Sequence, residues 1–321
     1  MAAADIDSHA LSEFCEEFSI PASRAYSHHD EMLAEEDLDI LSVATPSFLH
    51  HDHVIDATQA AASPRAIWCE KPIALSVSEA EQMMIACEES NTRLVINHQR
   101  RFADEYRALR AKLHEEQLLG DLESVHTHSP RELLRNGTHT VDLITFLLDE
   151  RIASVAGYLT GESGLGDPDD QGDVQNFDDS GGGGVLVSEG GVYVTIDQTV
   201  PRPISKGYKT LVGTGGTLHM PSRDQWVFHQ LEDDPEGPYG ASHVESPLPA
   251  GLEITSNQEK FTNGARHLVD LIEGNAENWS SGEDATHVLE IIVAIFVSHY
   301  LGSRVSLPLD RPLRDVRILS G

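Results

Sequence analysis

Three apolar runs, "LDILSVATP" at residues 38–46, "RAIWCEKP" at 65–72 and "TRLVINH" at 92–98, constrain the fold more than any other feature. Each is short enough for a strand, and helical spacing separates them: "HDHVIDATQAAA" after the first, and Ala80, Met83, Met84 and Cys87 behind a Ser76/Glu79 capping box after the second. Strand–helix–strand alternation requires right-handed crossovers, hence a parallel sheet covered by helices on both faces. An earlier helix is expected from Asp7, with Ser8 as its cap and Leu11, Phe14, Cys15 and Phe18 forming a buried face before Pro21 stops it.

After about residue 121 the pattern changes. A helix around His139 is followed by "GGVYVTID" and "YKTLVGTGG", which alternate as strands, then by two helices in "KFTNGARHLVDLIEG" and "EDATHVLEIIVAIFVSHYLG". The chain is therefore expected to divide into a doubly wound, Rossmann-like α/β domain over 1–121 and an α+β domain with a large, mostly antiparallel sheet over 122–321. The Gly- and Asp-rich stretch from Gly161 to Gly184 reads as an acidic connection or hairpin loop.

Charge narrows the partners. The chain has 53 acidic and 22 basic residues, a formal net charge of -31, which disfavours nucleic acid and anionic membranes. The acids are dispersed among apolar residues and only five basic residues are lysines, which points to a folded protein with a surface suited to high salt. Cys15, Cys69 and Cys87 have neither disulfide nor zinc spacing, no apolar run approaches the length of a membrane span, and the N-terminus lacks the features of a signal peptide. The expected location is the cytoplasm.

Glu70 and Lys71 stand immediately after a buried strand, with Pro72 stiffening the turn. Ligands of open α/β sheets bind at the carboxyl ends of the strands, and a lysine beside a carboxylate can exchange a proton with a hydroxyl there. The same pair also fits an exposed turn. The "GTGG" at 213–216 mimics a phosphate loop, but Leu218 replaces the last glycine and no helix follows, so a hairpin turn is expected. "HHDH" and "HTH" lack an accompanying ligand framework, and no metal is expected.

In order along the chain, "SVATPSFLHHDHVIDA", "EKPIA", "NHQRRFADEY", "NGTHTVDLITFLL" and "LVGTGGTL" resemble the glucose-fructose oxidoreductase, inositol dehydrogenase and rhizopine-catabolism (Gfo/Idh/MocA) family. "SSGEDATHVLEIIVAIFVSH" is similar to that family's penultimate helix. The resemblance implies hydride transfer between NAD(P) and a carbinol carbon of a sugar, cyclitol or related polyol, with Lys71 and His139 as the catalytic pair. It implies a cofactor site built from Asp5, Thr45, Pro46, His50, Glu70 and Lys71, and substrate contacts from Arg101, Arg135, Asn136 and Asp142. Family members commonly carry an acid four residues before the active-site histidine. Arg135 occupies that position, so either Lys71 and His139 suffice, or Arg135 binds an anionic substrate group, or it is a surface arginine. An acid at Asp5 favours NAD over NADP, since it hydrogen-bonds the ribose and repels a 2'-phosphate. By the same analogy, the open sheet is the surface of a homodimer or homotetramer.

The resemblance also implies a strand, glycine loop and helix ahead of "AAADID". In the strand order 3-2-1-4-5-6, that strand lies between the ones ending at Asp5 and Ala44, so its absence parts the sheet in two. The expectation is that Met1 is internal to a longer reading frame. A non-catalytic sugar-binding or oligomerisation protein that has lost dinucleotide binding is the alternative.

Overall fold

The computed structural model describes residues 1–160, 176–201, 207–222, 225–237 and 239–319. Along the first part run β1 (Ala3–Ala4), α1 (Ser8–Glu17), β2 (Ala25–Tyr26), α2 (His29–Glu35), β3 (Ile40–Val43), α3 (His50–Gln59), β4 (Ala66–Cys69), α4 (Val77–Glu89), β5 (Arg93–Ile96) and α5 (Asp104–His114). All strand pairs here are parallel, as the alternation requires, but they form two separate sheets: β1 with β2, and β3-β4-β5. In the second, Leu41, Ile67 and Leu94 stand in register, and α3 and α4 pack beside one another. The two-residue strand β2 carries too little pattern to be read from sequence.

Two details of the first 35 residues depart from expectation. Asp7, not Ser8, caps α1: its Oδ1 accepts from the backbone N–H groups of His9 at 2.9 Å and Ala10 at 3.2 Å, and a carboxylate is at least as good a cap as a hydroxyl. The apolar stripe of α1 is not buried. Phe14 and Phe18 pack against each other with ring centroids 4.6 Å apart yet remain 45% and 47% exposed, because a two-stranded sheet offers little surface to cover them. The Ser76 cap on α4 does form, but Glu79 reaches back to the N–H of Leu75 rather than to that of Ser76.

The remainder runs β6 (Leu122–Pro130), α6 (Thr138–Leu148), β7 (Ile152–Thr160), β8 (Asn176–Asp178), β9 (Gly181–Ser188), β10 (Tyr193–Val200), β11 (Tyr208–Gly213), β12 (Gly216–Met220), β13 (Val227–Asp233), β14 (Ala241–Ser246), α7 (Asn257–Ile272), α8 (Gly282–Leu301), β15 (Val305–Ser306) and β16 (Arg317–Leu319). Nine strands join in the order β14-β13-β12-β11-β6-β10-β9-β7-β15, antiparallel except for β6 with β10. One buried row crosses seven of them through direct partners: Val155, Leu186, Val194, Val125, Leu211, Leu218 and Phe228. A period of two on every strand puts polar and aromatic residues, Tyr158, Tyr193 and Tyr208 among them, on the opposite, exposed face.

Helix α8 lies along the inner face. By length and composition it could cross a membrane, contrary to the expectation that no run is long enough; here most of it is buried in the core. Its close approach explains the one large miss in the C-terminal sheet. The "GGGG" at 181–184 falls in strand β9, not in a loop, and residues 161–175 of that acidic stretch lie outside the described residues. Gly184 pairs with Gly157 on β7, where a side-chain carbon on Gly157 would meet the Ile295 carbonyl oxygen at 2.4 Å. Glycine in a strand marks such a backbone contact. The "GTGG" segment is the β11–β12 hairpin, with Gly213 opposite Gly216.

Candidate active site

Parallel pairing brings three turns to one edge of the β3-β4-β5 sheet: Thr45-Pro46 after β3, Glu70-Lys71-Pro72 after β4 and Asn97-His98 after β5. Sheet hydrogen bonds continue into the turns, from Glu70 N–H to the Val43 carbonyl and from Asn97 N–H to the Cys69 carbonyl, both at 2.8 Å. The Glu70 carboxylate is a strut. It accepts from Asn97 Nδ2 at 2.5 Å and from the N–H of Lys71 at 3.3 Å, which fixes the start of the lysine side chain. The Lys71–Pro72 bond is cis.

His50 is buried behind these turns, 1% exposed. Its Nδ1 lies 2.7 Å from the Pro72 carbonyl oxygen and its Nε2 lies 3.0 Å from that of Thr45. Burial pulls the imidazole below its ordinary value, although both carbonyls favour the protonated form. A buried ring tied to two main-chain oxygens straps the Thr45 and Pro72 turns together. Thr45 and Pro46 remain at the lip, and Thr45 Oγ1 is 3.1 Å from His53 Nδ1. Asp5 is exposed beyond the end of β1, where its Oδ1 accepts from the N–H of Asp7 at 2.8 Å.

The facing wall comes from residues 131–139 and the first turn of α6. Lys71 Nζ donates to the Arg135 carbonyl at 3.1 Å, so the lysine bridges the two parts of the chain. The loop is held from below by Asp179, which accepts from the N–H groups of Leu134 at 2.9 Å and Arg135 at 2.8 Å; burial pushes its carboxyl up to about 6 despite those donors. The Arg135 guanidinium is 60% exposed and only 3.8 Å from Glu132. Asn136 is turned inward: its Nδ2 donates to the Arg131 carbonyl and to Glu132.

His139 is half-buried, and its carbonyl accepts from Arg100 Nη1 at 2.8 Å. Burial, with the charges of Arg100 and Lys71 nearby, pulls its imidazole down to about 2, so it is neutral across the physiological range. One turn on, Asp142 lies 3.0 Å from His98 Nδ1 and 2.7 Å from Arg101 Nε. Burial alone would raise the Asp142 carboxyl, but Arg101 and His98 hold it down at about 2. Arg101 also donates through Nη1 to Asp284 at 2.9 Å and to the Trp279 carbonyl at 3.1 Å. Arg101 and Asp142 are therefore paired with each other inside the protein, where they tie α6 to the turn after β5.

The site thus gathers a lysine amine, a neutral imidazole and two arginines on a chain that is otherwise strongly acidic. His98, Asn97 and Arg100 were not singled out from the sequence, although their place directly after a parallel strand is a usable signal. Asp179 carries none, being more than 40 residues from the loop it anchors, in a glycine-rich stretch.

Residues 1–98 match the family model GFO_IDH_MocA, described as an oxidoreductase family with an NAD-binding Rossmann fold. D-apiose dehydrogenase of Paraburkholderia graminis is 25% identical over 96% of this chain and 82% of its own length. Inositol 2-dehydrogenase of Arthrobacter sp. (strain FB24) is 33% identical, over 42% of this chain and 43% of its own. Some other matches span only a fifth to a quarter of the relative. Among solved structures, an NAD binding oxidoreductase from Klebsiella pneumoniae superposes with a TM-score of 0.75 at 17% identity, covering 96% of this chain and 90% of that one, which establishes the two-part fold.

Proposed function

We propose that the chain is an NAD-dependent oxidoreductase of the Gfo/Idh/MocA family, acting on a carbinol group of a sugar, cyclitol or related polyol. The observation that carries this reading is Lys71: it stands at the carboxyl end of the parallel sheet, and its amine reaches across to the loop preceding His139. D-apiose dehydrogenase and inositol 2-dehydrogenase, to which the chain is similar, are named for a sugar and a cyclitol.

The residues suit part of the cofactor. Thr45, Pro46 and Lys71 border the edge suited to a nicotinamide, and Asp5 offers a carboxylate to a ribose hydroxyl. The first turn of α1 does not suit a pyrophosphate, because the Asp7 carboxylate already occupies it. NAD, when bound, supplies the hydride acceptor or donor, chemistry that no side chain provides. Lys71 Nζ carries the proton leaving or reaching the substrate oxygen, and Glu70 with Asn97 keeps its main chain in place. His139, neutral through burial, hydrogen-bonds the same hydroxyl and orients it. Arg135, exposed at the mouth, meets an anionic substituent of the substrate. Copies of the chain associate through the sheet face that exposes Tyr158, Tyr193 and Tyr208. The acidic, lysine-poor surface suits work in concentrated salt.

The test is NADH formation in high potassium chloride with inositols, aldoses and uronic acids, alongside NADH fluorescence for binding. Replacing Lys71 by Met is expected to lower kcat by about 10²–10⁴ while NADH still binds. Full activity in that variant would remove the proposal.

A further inference from the structure

The carbonyl that receives the Lys71 amine belongs to the turns at 131–137, between β6 and α6, which have little regular structure of their own. Glu132 there takes a left-handed φ of 80°, which is uncommon for such a side chain, and its carbonyl accepts from the N–H groups of both Asn136 and Gly137 at 3.0 Å. Support comes from the segment ahead of β9. The Ser180 carbonyl accepts from the N–H of Leu133 at 3.0 Å, and the two Asp179 carboxylate oxygens take one amide each, Leu134 at 2.9 Å and Arg135 at 2.8 Å. Asp179 is itself firmly mounted: its N–H donates to the Leu319 carbonyl at 3.0 Å, and Phe177 beside it is buried against Phe296 of α8, ring centroids 5.3 Å apart. A line of contacts thus runs from the core helix through Asp179 to the Arg135 carbonyl and the lysine amine.

Taking one N–H on each oxygen needs an ionised acid, because an amide or a protonated carboxyl presents a donor on one side. The nearby cations have other partners: Arg131 donates to the Thr199 carbonyl, the Arg135 guanidinium faces Glu132, and Arg317 on β16 pairs with Glu79. Burial, together with the like charge of Glu132, pushes the Asp179 carboxyl up to about 6, against the pull of the amides. The clamp is therefore ionised at neutral pH, where keeping the charge half-buried costs stability, and it is lost in mild acid.

We propose that Asp179 is a positioning residue for Lys71: ionised, it clamps the Leu134 and Arg135 amides and so places the carbonyl that holds the lysine amine; protonated, it lets that turn go and activity falls. This rests on Lys71 being the proton carrier of the proposed reaction. The test is Asp179→Asn in the full chain, a side chain of the same shape that cannot accept on both sides. In the polyol assay kcat should fall about 10–100-fold while NADH still binds, and the loss of kcat on acidification of the unaltered chain should vanish in the variant. Two measurements need no activity. Labelling by acetic anhydride, read by mass spectrometry, should modify Lys71 faster in the variant, with Lys112 as the reference. Amide NMR of the unaltered chain should show Leu134 and Arg135 shifting together with a midpoint at about 6, which decides the matter should the variant not fold. Unchanged kcat and labelling in a folded variant, an acid loss that survives in it, or Leu134 and Arg135 amides that do not titrate in mild acid overturn the proposal. If the unaltered chain oxidises no polyol, the assigned activity fails, and the labelling and the amide titration still decide on the clamp.

Discussion

The two sheet systems of this molecule are held together very differently. The C-terminal sheet is one continuous array of nine strands, crossed by an unbroken apolar row and backed by α8. The N-terminal strands form two separate parallel sheets, one of them only a pair of two-residue strands, with α1 burying none of its residues. Burial of apolar area is the main favourable term in folding. The C-terminal array therefore supplies the floor, and Lys71 reaches the loop above it from the N-terminal side.

This contrast can be broken at its strongest point first. Replacing Gly157 by Leu drives a side chain into the Ile295 backbone and should cost more than about 4 kcal/mol, read as loss of the folded state in denaturant titration. Next, Asp142→Asn leaves Arg101 and His98 short of a buried counter-charge, and should cost about 3–5 kcal/mol. At the weak end, Phe14→Ala on the uncovered face of α1 should change stability by no more than about 0.5 kcal/mol. A large loss there would show that α1 is covered in solution and would erase the contrast.

His139 sharpens the comparison through pH. Its imidazole falls from an ordinary 6.5 to about 2 in the folded chain, so below pH 6.5 the unfolded chain takes up a proton that the folded one refuses. Stability should therefore fall as pH drops from 6.5, and His139→Asn should flatten that slope, measured by denaturant midpoints across the acid range. An unchanged slope would mean that the ring is solvated. Asp142 acts lower: its carboxyl is held at about 2 against an ordinary 3.8, so the stability it contributes is complete above 3.8 and is lost as pH falls through 2.

Much of the fold was legible because period and punctuation coincide. The three buried strands, the Glu-Lys-Pro turn and the long final helix each carry a pattern that local chemistry enforces. What was not legible depends on distant partners. The glycines of β9 resemble a loop until α8 is known to press on that sheet. That Arg101 and Asp142 face each other, 41 residues apart, is likewise beyond any local pattern. So are the two main-chain oxygens that hold the His50 ring. Lys71 and His139 were recognised from family motifs, and the bridge through the Arg135 carbonyl is a tertiary fact.

The central claim is that Lys71 carries the proton in a hydride transfer between a polyol carbon and NAD. Its most direct test is transfer of deuterium from a carbon-deuterated inositol or aldose to NAD, followed by NMR of the recovered NADH. The account predicts deuterium at the nicotinamide C4 with the unaltered chain, and almost none with Lys71→Met under conditions where that variant still binds NADH. Equal transfer by both chains would contradict the role of Lys71, and no transfer from any polyol to bound NAD would contradict the activity itself.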